Sequence, residues 1–170
     1  MEKSIKSLHV NVNVQKYDDL MMKQNPDWQS KITEYRETRL SVHGEELRWL
    51  VSREQIYNQA TGQTVARSFI RHPGISVIVP FWDDDTIILL RQYRYAINGE
   101  LWELPAGTLV GREENHRIVP TESTEICAAR ELIEETGFAA SRWEKIAECY
   151  AIPGSGDELM HFFFAFDLQR

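Results

Sequence analysis

With 170 residues, 42% hydrophobic and 26% charged, the chain is large enough for one domain with its own core and too small for two large ones. A formal net charge of −7 excludes the basic footprint of a phosphate-backbone binder, so nucleic acid is not an expected partner. The two cysteines, Cys127 and Cys149, give neither a disulfide framework nor a zinc spacing, and a reducing compartment is the simpler reading.

The opening stretch MEKSIKSLHVNVNVQKYDD carries no long apolar run. No leader or membrane span is expected there, and a cytoplasmic location is the expectation. Residues 1–31 have mixed polarity and read as an N-terminal arm, either a short helix or a loose segment. Alternation sets in at Ile32: ITEYRETRLSV and ELRWLV flank His43-Gly44, and TVARSFIR follows the turn signal Thr61-Gly62. Residues 32–72 therefore read as an antiparallel β segment, and residues 73–170 as the main domain. SVIVPFW and TIILLRQYRY read as core strands joined by a turn at Asp83-Asp84-Asp85. ELWELP is a further short strand, and residues 106–120 read as irregular.

Thr121 is the expected N-cap of a helix over residues 122–136, with Glu122 and Glu125 favourable in its first turn and Gly137 as its stop. Ile126, Ala129 and Ile133, joined by Ala128 and Leu132, are expected to form its packed side, with Glu131, Glu134 and Glu135 projecting away. RWEKIAECYAI and ELMHFFFAFDL read as strands on either side of the loop PGSGD. The expected class is α+β, a mixed β-sheet with one helix carrying unusual chemistry. The histidines at 9, 43, 72, 116 and 161 show no metal or dyad spacing, and His72 and His161 are expected to serve a turn and a sheet.

Residues 131, 134 and 135 are related by i, i+3 and i, i+4, so their carboxylates repel by about 0.3 kcal/mol per pair. Such an array of hard oxygens suits Mg²⁺, completed by water and substrate phosphates. Solvated helices carry similar strings, and the cluster alone does not decide. Its neighbours do. Arg130-Glu131-Leu132-x-Glu134-Glu135-x-Gly137-Phe138 matches the core of the Nudix signature, R-E-U-x-E-E-x-G-U with U apolar. Chance would produce that match in a chain of this size with odds on the order of 10⁻⁵. Glu122 lies eight positions before Arg130, and Glu103-Leu-Pro-Ala-Gly107 resembles the family's entry into the signature. The resemblance covers roughly residues 65–168 and implies a Nudix fold with a catalytic loop-helix-loop.

One departure is plain. Glu113 satisfies the family spacing from Gly107, Glu122 satisfies the spacing to Arg130, and a nine-residue insertion within GREENHRIVPT separates the two. Lengthening a loop costs little, so the apparatus is expected to tolerate it. Either glutamate could hold the family position.

LLRQYRYAINGELWELPAG resembles the ADP-ribose and ADP-sugar pyrophosphatases, and Pro153 with PGSGDE matches their proline loop. The resemblance implies hydrolysis of a nucleoside diphosphate sugar, ADP-ribose first, to AMP and ribose 5-phosphate. It implies Mg²⁺, with Mn²⁺ as the other candidate, held by the Ala106 carbonyl, Glu131 and Glu135, with Glu134 ligating or bridging a second ion. Arg130 would orient the glutamates. Arg94 would contact the pyrophosphate, Glu103 an arginine or the ribose, and the Pro153 loop the substrate. Tyr35 and Trp49 are candidates for stacking on adenine, with core packing as their other reading. A homodimer exchanging the β segment is implied as well. Relatives carry an acidic loop after the last strand that supplies the general base. This sequence has only Gln169 and Arg170 after Leu168; three readings stay open, that the tail lies outside it, that Glu158, Glu134 or a glutamate of the insertion supplies the base, or that hydrolysis is slow. Two alternatives stand beside this reading: a nucleotide-sugar sensor without turnover, and a hydrolase for GDP-mannose or NADH.

Overall fold

In the computed structural model, alternation along LVSREQIYN turns one side of strand β2 (Leu50–Asn58) inward, so that Leu50, Ser52 and Glu54 are fully buried. The structure describes residues 28–36 (backbone only), 50–115 and 117–170. Strands β1 (Trp28–Arg36) and β3 (Thr64–Arg71) pair antiparallel with β2 on either side, giving a three-stranded sheet. Trp49 and the His43-Gly44 turn lie outside the described residues, as do His9 and His116.

The main sheet is built from the apolar, β-branched runs. Its order is β10 (Ala139–Tyr150), β11 (Leu159–Gln169), β4 (Ile75–Pro80) and β7 (Ala106–Thr108). β11 and β4 are parallel and the other pairs antiparallel, so the sheet is mixed as expected. Strand period then divides the phenylalanines of HFFFAF between two faces. Phe163 and Ala165 join Ile78 beneath helix α1 (Thr124–Thr136), meeting Ala128 and Leu132 in the core. Phe164 and Phe166 pack on Phe81, at centroid distances of 5.2 and 4.9 Å. Each fully buried Leu, Ile or Phe contributes roughly 2 kcal/mol of transfer free energy, which fixes α1 against β4 and β11.

Four local expectations are corrected. TIILLRQYRY is not one core strand: Ile87 only bridges to Phe81, and β5 (Leu90–Arg94) pairs with β6 (Gly99–Glu103) in a two-stranded ribbon of its own. Residues 106–120 are not irregular but contain β7 and a hairpin of β8 (Gly111–Glu114) and β9 (Arg117–Pro120). Runs of three or four residues are too short to show a period.

The helix starts at Thr124, not 122, and its N-cap is Ser123, whose hydroxyl accepts the Ile126 N–H at 3.2 Å. Thr121 instead turns its N–H and hydroxyl to the Val110 carbonyl, at 2.7 and 3.1 Å. Gly137 does stop the helix, in the left-handed region at φ 74°. Ser123→Ala is expected to cost about 1 kcal/mol and to lower Tm by about 3 °C in a thermal melt.

The packed side of α1 is also rotated from the expectation. Cys127, Ala128 and Leu132 are buried, whereas Ile126 and Ile133 are 60% and 51% exposed. Contact follows the i, i+4 rows 124-128-132 and 127-131-135. Apolar residues face water so that two glutamates can face the sheet edge. Among the described residues no helix is long and apolar enough to cross a membrane.

Candidate active site

Glu131 lies over β7 because β7 offers a glycine there. A Cβ built on Gly107 would stand 1.8 Å from the Glu131 Cδ, so any side chain would occupy the carboxylate's place. One turn further along α1, the Ala106 N–H donates to Glu135 Oε2 at 3.0 Å. The Ala106-Gly107 step of the strand and the inner row of the helix thus enclose two carboxylates. Gly107→Ala should expel the Glu131 carboxylate, the flexible end of a side chain, and leave the backbone in place. We expect a loss of activity of about a hundredfold with little change in Tm, read by parallel kinetics and melting.

Arg130 organises the outer side. Its Nη1 donates to Glu131 Oε1 at 2.5 Å and Glu134 Oε2 at 3.2 Å, and its Nη2 to Glu122 Oε1 at 2.9 Å and the Thr108 carbonyl at 3.3 Å. Three carboxylates share one guanidinium, whose pKa is driven up by the Glu122 bond first, against the cost of burial, with Glu131 adding to the rise. Beneath it the Cys127 thiol, pushed to about 11 chiefly by burial, donates to the Gly107 carbonyl at 3.5 Å and is unreactive at neutral pH.

The ambiguity between Glu113 and Glu122 resolves through the hairpin. The chain leaves at Val110 and returns at Thr121, whose N–H meets the Val110 carbonyl, while Gly111 pairs with Pro120. The neck is closed, so the insertion restores the spacing it interrupts. Glu122 accepts the Val110 N–H at 2.7 Å and faces Arg130. Burial opposes its charge, and Arg130 and the Val110 N–H nevertheless hold its carboxyl below the usual range. Glu113 is out on β8, opposite Ile118.

Arg94 and Glu103 approach from the β5–β6 ribbon. Arg94 pairs with Gly99 in register, and its side chain runs back along the ribbon to Glu103, with Nε 3.0 and 2.9 Å from the two carboxylate oxygens. Both are felt by Glu135, whose carboxyl is raised by burial first and by Glu131 and Glu103, against the Ala106 N–H and Arg94. Ala106, Arg130, Glu131 and Glu135 form one group, with Glu134 at its exposed rim, and the Arg94–Glu103 pair stands on the ribbon that leads into Ala106.

Pro153 and Glu158 belong to a second group at the end of β3. Glu158 Oε2 stands 3.7 Å from His72 Nε2, and the neighbouring Asp157 joins Arg71 and His72. Burial lowers the His72 pKa, against the pull of Glu158 and Asp157. His72 Nδ1 also accepts the Gly74 N–H, and His161 meets Glu148 at 2.7 Å, the turn and sheet roles expected of them. Asp157, Cys127 and the Thr108 carbonyl are functional neighbours that the sequence reading did not single out. No periodicity marks them.

The donor set fits a hard divalent cation. Glu131 and Glu135 on α1 and the Ala106 carbonyl on β7 are hard oxygen donors, and a carboxyl raised by burial first and by carboxylate neighbours after it is one that a cation would relieve. Among the described residues no three acidic, histidine or cysteine side chains converge on one point. Mg²⁺ does not need three, since it takes one or two protein carboxylates and fills its remaining positions with water and substrate phosphate.

Comparison with known proteins gives the family. A NUDIX domain matches residues 70–169. Over 108 residues the chain is 36% identical to an ADP-ribose pyrophosphatase of Bacillus subtilis (strain 168), covering 64% of this chain and 54% of that protein. It is 35% identical over 104 residues to a GDP-mannose pyrophosphatase of Enterobacter sp. (strain 638), covering 59% and 51%. The chain spans about half the length of these relatives. Its fold is similar to that in a crystal structure of an ADP compounds hydrolase, with a TM-score of 0.58 at 23% identity over 83% of this chain and 69% of that one. The glutamate helix, its glycine-edged strand and the match over residues 70–169 together place this α+β chain in the NUDIX domain family.

Proposed function

We propose that the protein hydrolyses the pyrophosphate of a nucleoside diphosphate sugar, with ADP-ribose as the first candidate, to AMP and ribose 5-phosphate. The observation that carries this reading is the enclosure of Glu131 and Glu135 by the Ala106-Gly107 backbone, with the Arg94–Glu103 pair on the ribbon that leads into Ala106. Such a group can neutralise a pyrophosphate on one side and grip it on the other. Mg²⁺ or Mn²⁺, held by Glu131, Glu135 and the Ala106 carbonyl, would supply charge neutralisation on the phosphoryl oxygens.

Each residue then has a role at a stated atom. The Arg94 guanidinium, half-exposed and pre-set by Glu103, binds a pyrophosphate oxygen. Arg130 keeps Glu131 and Glu134 oriented. Water forms a new P–O bond as the bridging P–O bond breaks, and the leaving phosphate keeps the bridging oxygen and its electron pair. The proton released by the water passes to a carboxylate. Glu134 is the base candidate on the helix that carries Glu131 and Glu135, and this reading assigns it that proton. The Pro153–Glu158 loop is kept as the substrate loop of the resemblance.

A homodimer that exchanges the β segment of residues 32–72 belongs to this reading, as the resemblance implies.

GDP-mannose is the second substrate candidate, supported by the similarity to a GDP-mannose pyrophosphatase. The test is kcat/KM with ADP-ribose, GDP-mannose and NADH under one metal concentration. A preference of tenfold or more for ADP-ribose is expected, and a preference for GDP-mannose would move the assignment. Tight binding without turnover would favour a sensor.

A further inference from the structure

The segment 151–158 is seated on the end of β3 by contacts that converge on one carboxylate. Its turn is closed by the Ser155 and Gly156 N–H groups on the Ile152 carbonyl, at 2.9 and 2.8 Å. Ile70 exchanges backbone bonds with it on both sides, to the Ser155 carbonyl at 2.8 Å and from the Asp157 N–H at 3.1 Å. Gly156 permits that approach, since a Cβ there would stand 3.1 Å from the Ile70 carbonyl oxygen and 3.0 Å from Ile152 Cδ1.

Asp157 then collects donors from two other elements. Oδ1 accepts the His72 N–H at 2.8 Å, Oδ2 accepts Arg71 Nη1 at 2.9 Å, and Arg117 Nη1 of β9 stands 3.8 Å from the same Oδ2. Arg71 is itself braced by the fully buried Glu54, on which Ser52 also donates. The inserted hairpin is seated beside this point: Ile118 is buried, and a Cβ on Gly111 would meet Pro73 Cβ at 3.0 Å. The insertion that interrupts the signature therefore carries, at the start of β9, a cation beside the loop, and it shares the loop's anchor with the N-terminal sheet.

We infer that Asp157 is the positioning residue of the 151–158 loop, and that the inserted hairpin acts on substrate binding by sharing Asp157 through Arg117. This rests on the reading that the Pro153–Glu158 loop contacts the substrate. Asp157 acts through the loop and leaves the carboxylates of α1 untouched, so its effect belongs in KM rather than kcat.

The test has two arms, both on the whole protein. Hydrogen exchange of the amides of residues 154–158, without substrate, should quicken about tenfold in Asp157→Asn, the size of one lost charge-assisted bond. Arg117→Gln should quicken the same amides about threefold. With ADP-ribose and Mg²⁺, KM should rise about tenfold in Asp157→Asn and about threefold in Arg117→Gln, with kcat held within about twofold. Asp157→Glu should recover most of the KM, which a role confined to stability would not predict. Unchanged loop exchange in Asp157→Asn overturns the inference, as does a fall in kcat at constant KM. Unchanged exchange in Arg117→Gln overturns the part assigned to the hairpin. Parent protein without turnover would refute the proposed reaction, while the exchange arm would still decide the anchoring.

Discussion

Glu135→Gln should lower kcat by about 10³-fold, the size expected when one preorganised group is lost from a charge-stabilising site, while Tm holds or rises. The two halves of this expectation come from one geometry. Glu135 is part-buried beside Glu131 and Glu103, and burial with those neighbours raises its carboxyl above the usual range. A carboxyl whose folded pKa is raised contributes stability below its unfolded value and loses it as pH climbs through the folded one. At neutral pH the ionised group is therefore a cost to the fold. Glutamine removes the charge, keeps the shape and can still accept the Ala106 N–H. Kinetics at saturating substrate with a thermal melt at the same pH check both halves. A variant that loses activity only because it unfolds would contradict the account.

Arg71→Ala should be the most damaging single change to stability, costing about 3 kcal/mol and about 10 °C in Tm. Arg71 is nearly buried, and its Nη2 and Nε both meet the fully buried Glu54 while Nη1 meets Asp157. Burial works against its charge, and the bonds to Glu54 and Asp157 outweigh that cost and raise its pKa. Alanine strips the arginine from a buried carboxylate, and that removal is what makes breaking such a pair expensive. Arg71→Lys should recover only part of the loss, because one ammonium cannot serve both carboxylates in the geometry of the fork. Equal melting of Arg71→Ala and the parent would show that this network does not hold the N-terminal sheet and the loop to the domain.

The helix was legible where local rules act alone. Gly137 must stop a helix because it takes a left-handed conformation, and RELIEETGF carries its spacing in eight consecutive steps. The face of the helix was not legible, because hydropathy placed Ile126 and Ile133 inside. The structure puts Glu131 and Glu135 beside β7 instead, where Glu135 accepts the Ala106 N–H and Glu131 pairs with Arg130. The N-cap was misplaced for a similar reason. Thr121 has the chemistry of a cap, and closing the hairpin neck at Val110 claimed it first. β5 read as core because its sequence is apolar at the start, yet it pairs with β6 alone. Which glutamate faces Arg130 depended on a closed hairpin neck, a tertiary fact with no local signal.

If the carboxylates of α1 act on a pyrophosphate through a bound cation, as proposed, AMP release from ADP-ribose should follow the cation. AMP is expected with Mg²⁺ present, none above background after chelation with EDTA, and full recovery once the cation is restored. AMP release that survives chelation would contradict this role, because the carboxylates of α1 are anionic and can neutralise phosphoryl oxygens only through a bound cation.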